Sequence, residues 1–248
     1  VDFTEKQLQR YSRHIVLPEV GVEGQLKLKR TKVCIVGVGG LGSPVGYYLT
    51  AAGIGTIGIV DGDKVEISNL QRQIAHSMRT IGRAKVDSAR ESFLGLNPDV
   101  SVAAINVRLT ADNIIEVLRV YDVVVDCCDN FATRYLVNDA CVLSRKPLVS
   151  GAILKFEGQL TTIIPGEGHC YRCLFEELPP ADLELASEVS GVIGALPGVI
   201  GALQALEVIK IILGTGEILK NALLIYDALK GTFRRVGVPR NPDCPVCG

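Results

Sequence analysis

The stretch that decides the fold is KVCIVGVGGLGSPVGYYLTAAGIGTIGIVDGD, residues 32–63. Its apolar run at residues 33–36 has the character of a strand buried on both faces. The run stops at Gly37-Val38-Gly39-Gly40-Leu41-Gly42, where a helical pattern opens and continues to Ala52. Glycines suit such a turn because the chain reverses sharply and phosphate oxygens must approach the backbone. The helix behind adds free N–H groups and the positive end of its dipole. A second apolar run at residues 56–60 ends in Asp61, about twenty residues past the glycines, where a carboxylate can accept hydrogen bonds from a ribose hydroxyl. A βαβ unit that binds a nucleotide is expected, with NAD, NADP, FAD and ATP all compatible.

Working outward, the whole chain of 248 residues, 48% hydrophobic, can bury the core of one large α/β domain, read here as 1–248 with a nucleotide-binding core at 32–151. The formal net charge of −1 gives no field of one sign, so neither nucleic acid nor a membrane surface is expected as the main partner. Residues 1–13 are polar and of mixed charge, unlike a secretory signal, and a cytoplasmic location is expected. The most membrane-like stretch, residues 192–213, is interrupted by Pro197, Gln204, Glu207 and Lys210 and reads as a buried helix kinked or starting near Pro197.

Before the glycine turn, Thr4-Glu5-Lys6-Gln7 spells a capping box, and Leu8, Tyr11 and Ile15 follow at helical spacing. That helix carries Arg10 and Arg13, which by pattern form a solvated basic face. A short helix is expected at 23–28. After Asp61 come Gly62, Asp63 and the aperiodic segment Ser68-Asn69-Leu70-Gln71-Arg72-Gln73, on the edge where ligands sit in open α/β sheets. Asn69 and Arg72 are candidate phosphate contacts, with a surface charge as the alternative for Arg72. Residues 82–96 read as a helix with Lys85 in its first turn, opposing the dipole unless something anionic compensates, such as a triphosphate; an exposed, solvated lysine is the alternative.

Further strands are expected at 100–107, 122–127 and 147–151, with helices at 111–120 and 131–143. Asp126 and Asp129 end a central strand and are candidates for the ligand crevice. Asp129 suits Mg²⁺, which prefers carboxylate oxygen supplemented by phosphate and water, though Asp129 could instead cap the following helix. Runs at 159–164, 222–226 and 231–238 read as antiparallel strands, completing a Rossmann-like fold with a mixed central sheet. Two knuckles, Cys170-x-x-Cys173 and Cys244-x-x-Cys247, supply four thiolates for a structural Zn²⁺ tying the tail to the loop after the fifth strand. Cys34 and Cys141 read as small apolar residues, and Cys128, beside the nucleotide position, raises a functional question.

Taken in order, the glycine turn, Asp61 to Asp63, the SNLQRQ segment, Lys85, the Asp129-Asn130 pair and the two cysteine knuckles resemble the MoeB/ThiF family of adenylating enzymes, relatives of ubiquitin-activating enzymes. The resemblance spans the chain from RYSRHI to CPVCG. It implies an enzyme that uses ATP and Mg²⁺ to adenylate the C-terminal glycine carboxylate of a small ubiquitin-like sulfur-carrier protein. Gly37, Gly39, Gly40, Gly42, Asp61, Asp63, Ser68, Asn69, Leu70, Gln71, Arg72, Lys85, Asp129 and Asn130 would then line the ATP site. Arg13 matches an arginine that reaches into the other subunit of a homodimer. Members often carry a cysteine in the loop before the 192 helix, but residues 174–191 hold none and Ser187 stands near that place. The expected chemistry therefore stops at the acyl-adenylate. Sulfur is expected from another protein, a sulfurtransferase, because no rhodanese-like segment follows Gly248. The same acidic loop, 176–188, is expected to close over the carrier tail. An NAD-dependent oxidoreductase explains only the glycines and Asp61. A non-catalytic subunit would lack some phosphate contacts, and a small-molecule or tRNA-borne acceptor keeps the adenylation but changes its target.

Overall fold

The computed structural model describes residues 3–176 and 191–248. Its apolar runs become strands of one mixed sheet: β1 (Lys32–Val36), β2 (Thr56–Val60), β3 (Ser101–Ile105), β4 (Val123–Asp126), β5 (Leu148–Leu154), β6 (Glu157–Ile163), β7 (Ala222–Asp227) and β8 (Thr232–Gly237). They lie in the order β3-β2-β1-β4-β5-β6-β7-β8, the first five parallel and the remainder joined antiparallel. Val36 stands opposite both Val60 and Asp126, so β2, β1 and β4 end level with one another. The chain leaves β1 for β2 on one side and returns after β3 to lay β4 on the other. That reversal opens a crevice at the carboxyl ends of these strands.

Alternate residues of the parallel strands face two separate cores. Val33, Ile35, Ile57, Ile59 and Val125 pack under α3 (Gly42–Ala52), α4 (Lys85–Leu96) and α8 (Leu196–Leu213). Cys34, Val36, Val60 and Val124 pack under α5 (Ile114–Leu118) and α6 (Phe131–Leu143), beside Cys170, Cys244 and Tyr171 of the single-turn α7 (Tyr171–Leu174). Each large apolar side chain taken fully out of water, such as Phe93, Leu49 or Ile57, contributes on the order of 1.5–3 kcal/mol before entropy is charged. α8 is long and apolar enough to cross a membrane, but it lies against β5, β6 and α3 with Gln204 and Glu207 buried. Glu207 accepts from the Thr162 hydroxyl at 2.6 Å and from the Leu219 N–H at 2.7 Å. The helix begins one residue before Pro197 rather than kinking there, because proline is tolerated in a first turn whose N–H groups lack intrahelical acceptors.

α1 (Glu5–Ile15) has the capping box that its sequence spells, with Gln7 and Thr4 bonded reciprocally. α2 (Gly21–Arg30) is longer than the expected 23–28. α4 starts at Lys85 instead of residue 82, because Gly82 is left-handed (φ +82°) and Ala84 extended, bridging to Lys64. β5 runs three residues past the expected 151, since β6 pairs with it along its whole length.

Candidate active site

The turn after β1 is built to be narrow. Gly37 has φ +88°, and a Cβ there would lie 2.8 Å from the Cys127 carbonyl; one on Gly42 would lie 2.0 Å from the Gly37 carbonyl. Glycine is therefore required at both positions by close backbone approach. Asp61 closes the turn from the end of β2: one oxygen accepts the Val38 N–H at 2.9 Å and the other the Asp63 N–H at 2.9 Å. Its carboxylate is thus fixed on the strand edge where a ribose would lie.

The 68–73 segment folds back over this turn. Ile67–Asn69 form a single 3₁₀ turn, in which Asn69, nearly buried, accepts the Glu66 N–H at 3.0 Å. The Ser68 hydroxyl donates to Glu66 at 3.3 Å. Arg72 bends over the Ser68 carbonyl at 3.3 Å, and its stem lies 3.5 Å from where a Gly40 Cβ would be. Leu70 is half-buried and Gln71 exposed. Arg72 is half-buried, with its stem against the glycines. Two residues that sequence reasoning missed lie beneath. Gln73 is buried, and its Oε1 has no partner among the described residues. His76 is buried between the Val38 carbonyl (3.0 Å) and the Ser88 hydroxyl (2.9 Å). A carbonyl only accepts, so Nε2 carries the proton and Nδ1 accepts from Ser88. Burial lowers the pKa of His76, keeping it neutral. The only signal in sequence was its place three residues after the aperiodic segment that Gln73 ends.

Lys85 is buried rather than exposed, its side chain 10% accessible. The anionic compensation at the N-terminus of α4 is Asp63, whose Oδ2 lies 3.2 Å from Nζ, while the Asp63 carbonyl accepts the Lys85 N–H at 2.9 Å. Asp63 also holds Arg108 through Oδ1 at 3.1 Å.

At the end of β4 the two acidic candidates separate. Asp126 does not face the crevice: it is fully buried, bonded to Arg134 at 2.9 Å, to the Ser150 hydroxyl at 2.7 Å and to the Cys128 N–H at 2.9 Å. A carboxylate at that depth needs a counter-ion, and Arg134, one helical turn into α6, supplies it. Asp129 is exposed on the crevice edge, and the helix cap is Asn130, whose Oδ1 accepts the Thr133 N–H at 2.9 Å. Asn130 also donates to Asp129 at 3.4 Å. The question about Cys128 is answered by its surroundings: burial, with Asp126 next to it, pushes its thiol and that of Cys127 well above the ordinary range, so neither is a ready thiolate. Cys34 is likewise inert, raised by burial to about 12.

Arg13 is exposed on the last turn of α1, and among the described residues no hydrogen bond or ion pair holds it. Ser187 and most of the 174–191 loop lie outside the described residues.

The four cysteines converge as expected. All four sulfurs lie within 4.8 Å of one another, with Cys173 3.3 Å from Cys247, Cys170 3.6 Å from Cys244 and Cys173 4.0 Å from Cys170. A tetrahedron of sulfurs at Zn–S about 2.3 Å has edges of about 3.8 Å, so the cluster can hold a zinc ion. The N–H groups of Cys170 (3.5 Å) and Asn241 (3.4 Å) point at the Cys173 sulfur, as suits a thiolate ligand. All four positions would be filled by protein, leaving none for substrate.

A nucleotide crevice and a closed four-thiolate cluster in one chain narrow the identity, and a model of the ThiF family matches residues 11–246. The chain belongs to the ThiF family. Like the relatives found for it, it is an adenylyltransferase. It is 51% identical to the sulfur carrier protein adenylyltransferase of Thermus thermophilus, covering 99% of this chain and 93% of that protein. It is 52% identical to the SAMP-activating enzyme E1 of Haloferax volcanii, covering 98% and 89%. It is also 52% identical to the adenylyltransferase and sulfurtransferase MOCS3 of Aedes aegypti, where 97% of this chain matches and only 55% of that longer protein is spanned. Among solved structures, E. coli MccB with AMPCPP and selenomethionine MccA superposes with a TM-score of 0.86 at 28% identity, covering 100% of this chain and 75% of that one. MccB with ATP superposes with a TM-score of 0.83 at 27% identity, covering 100% and 82%.

Proposed function

We propose that this ThiF-family chain uses ATP to adenylate the C-terminal glycine carboxylate of a small ubiquitin-like sulfur-carrier protein. The observation that carries the reading is the convergence of the glycine turn, Asp61, Arg72 and buried Lys85 on one sheet edge, with the exposed Asp129 carboxylate facing it across β1. The acceptor follows the Thermus thermophilus relative, which is named a sulfur carrier protein adenylyltransferase.

In the proposed reaction one oxygen of the carrier carboxylate attacks the α-phosphorus of ATP, and the bond to the β-phosphate bridge breaks. Pyrophosphate leaves with the electron pair, and an acyl-adenylate remains. The nucleophile is already ionised, so no general base is needed. What the protein supplies is position and charge: glycine-turn N–H groups and Asp61 orient the nucleotide, while Arg72 and Lys85 stabilise charge on the phosphates. Lys85 begins on Asp63, so phosphate binding exchanges one anion for another without exposing the ammonium.

Mg²⁺ fits at Asp129, whose carboxylate is exposed and has no cationic partner among the described residues. When bound, the ion would screen charge on the phosphates. Asn130 would orient that carboxylate. Arg13, unpaired on α1 among the described residues, suits a role in the site of a second copy in a homodimer. The zinc cluster would be structural. The product would feed sulfur transfer in molybdenum cofactor, thiamine or tRNA thiolation chemistry, with a separate sulfurtransferase as donor, in the cytoplasm.

The test is exchange of labelled pyrophosphate into ATP, driven by a carrier ending in Gly-Gly. Exchange with the intact tail that disappears on truncation, and in Arg72→Ala and Asp129→Ala, is the expected result. ATP binding without exchange for any such carrier would refute the acceptor.

A further inference from the structure

Arg108 belongs to no element of the expected site, yet its placement is specific. It follows β3 on the carboxyl edge of the sheet and is 83% exposed, with its guanidinium 3.1 Å from Asp63 Oδ1. Its stem crosses Gly62: a Cβ on that glycine would lie 2.7 Å from Arg108 Cγ. The arginine is therefore laid across the Asp61-Gly62-Asp63 turn. Asn113 Nδ2 donates to the Arg108 carbonyl at 3.0 Å and fixes the backbone beneath it. An exposed ion pair alone is worth little. This one shares its carboxylate with buried Lys85 on the other oxygen, so Asp63 ties a buried cation to an exposed one.

The order of strands says what lies under that guanidinium. Phosphates belong at the glycine turn after β1, toward β4, and Asp61 at the end of β2 marks the ribose. The base of the same nucleotide must then extend away from the phosphates, toward β3. Arg108 stands on that side. A planar guanidinium with its charge already balanced by Asp63 is a surface on which an aromatic base can stack.

We propose that Arg108 is a nucleotide-binding residue that covers the adenine, held in place by Asp63. The proposal rests on the reading that ATP occupies this crevice. It separates two roles of Asp63: one oxygen positions the phosphate-binding Lys85 and the other the base-covering Arg108.

The test is equilibrium binding to the full chain by calorimetry, without carrier. ATP, adenosine and inorganic tripolyphosphate serve as probes against wild type, Arg108→Ala and Arg108→Lys. Arg108→Ala is expected to weaken ATP and adenosine about tenfold and to leave tripolyphosphate unchanged. Arg108→Lys, which keeps the charge but loses the plane, is expected to behave like alanine. Unchanged adenosine affinity in Arg108→Ala would overturn the proposal. So would full recovery by lysine, or equal weakening of tripolyphosphate, since both indicate bare charge. Absence of ATP binding to the wild-type chain would instead remove the reading on which the proposal rests. Arg108 is exposed, so both variants are expected to melt with wild type.

Discussion

Replacing Arg134 by Met should strongly destabilise this protein. The guanidinium donates from Nη1 to Asp126 (2.9 Å), the Ser150 hydroxyl (3.0 Å) and the Gly151 carbonyl (2.8 Å), and from Nη2 to the Cys128 carbonyl (2.6 Å). It also lies over the Tyr171 ring at 5.6 Å. Methionine fills similar length but donates nothing. It leaves Asp126, wholly buried, with only the Ser150 hydroxyl and the Cys128 N–H, and strands two carbonyl acceptors. Removing one partner of a buried ion pair costs about 3–5 kcal/mol. For a chain of this size each kcal/mol moves Tm by about 2–4 °C, so a fall of roughly 6–20 °C is expected. The assay is equilibrium unfolding in urea with thermal melts alongside. Asp126→Asn in the Arg134→Met background removes the orphaned charge, so the double variant should recover at least about 1.5 kcal/mol relative to additivity. A single variant melting within about 2 °C of wild type, or strictly additive effects, would refute the account of Asp126 as a buried charge that needs Arg134.

The remaining predictions concern zinc, pH and the turn. One zinc per chain should be measured by elemental analysis; Cys173→Ser should lose it and expose the 240–248 tail to proteolysis, since two of the four anchors lie in that tail. His76 is buried neutral with its pKa lowered from 6.5 by burial, so its contribution to stability is full above about pH 6.5. That contribution falls as pH drops from there toward the lowered folded value, because the unfolded chain binds the proton first. Urea unfolding between pH 7 and 5 should therefore show a shallower decline in His76→Gln than in wild type. Gly42→Ala places a Cβ 2.0 Å from the Gly37 carbonyl and should abolish ATP binding by calorimetry, whereas Gly198→Ala, in open space on α8, should leave it intact. Lys85→Ala should weaken tripolyphosphate binding by tenfold or more and leave adenosine binding within twofold, because in the proposed reading its ammonium, now 3.2 Å from Asp63, meets the phosphates and not the base.

The strands and the glycine turn were legible in the sequence because their causes are local. Residues 33–36 and 56–60 are apolar runs of strand length, Thr4 and Gln7 carry their own cap, and four cysteines in two knuckles leave a zinc-like cluster as the economical outcome. The 68–73 segment was readable as a candidate site by its lack of period, its place after Asp61 and its resemblance to the family motif. Tertiary structure alone decided which charges face the crevice. Asp126 and Asp129 stand three residues apart at the end of the same strand, yet one is sunk beneath Arg134 and the other is exposed. Strand register and the depth of α6 set that difference, and no spacing rule encodes it. Lys85 could be read as exposed or compensated until the Lys64–Ala84 bridge brought the start of α4 beside Asp63. Arg108, far from the glycine motif in sequence, reaches the same turn only because β3 lies next to β2. Local pattern fixes where the backbone turns and which face is apolar; the cost of burying a charge without a partner, which depends on distant residues, fixes where the charges end up.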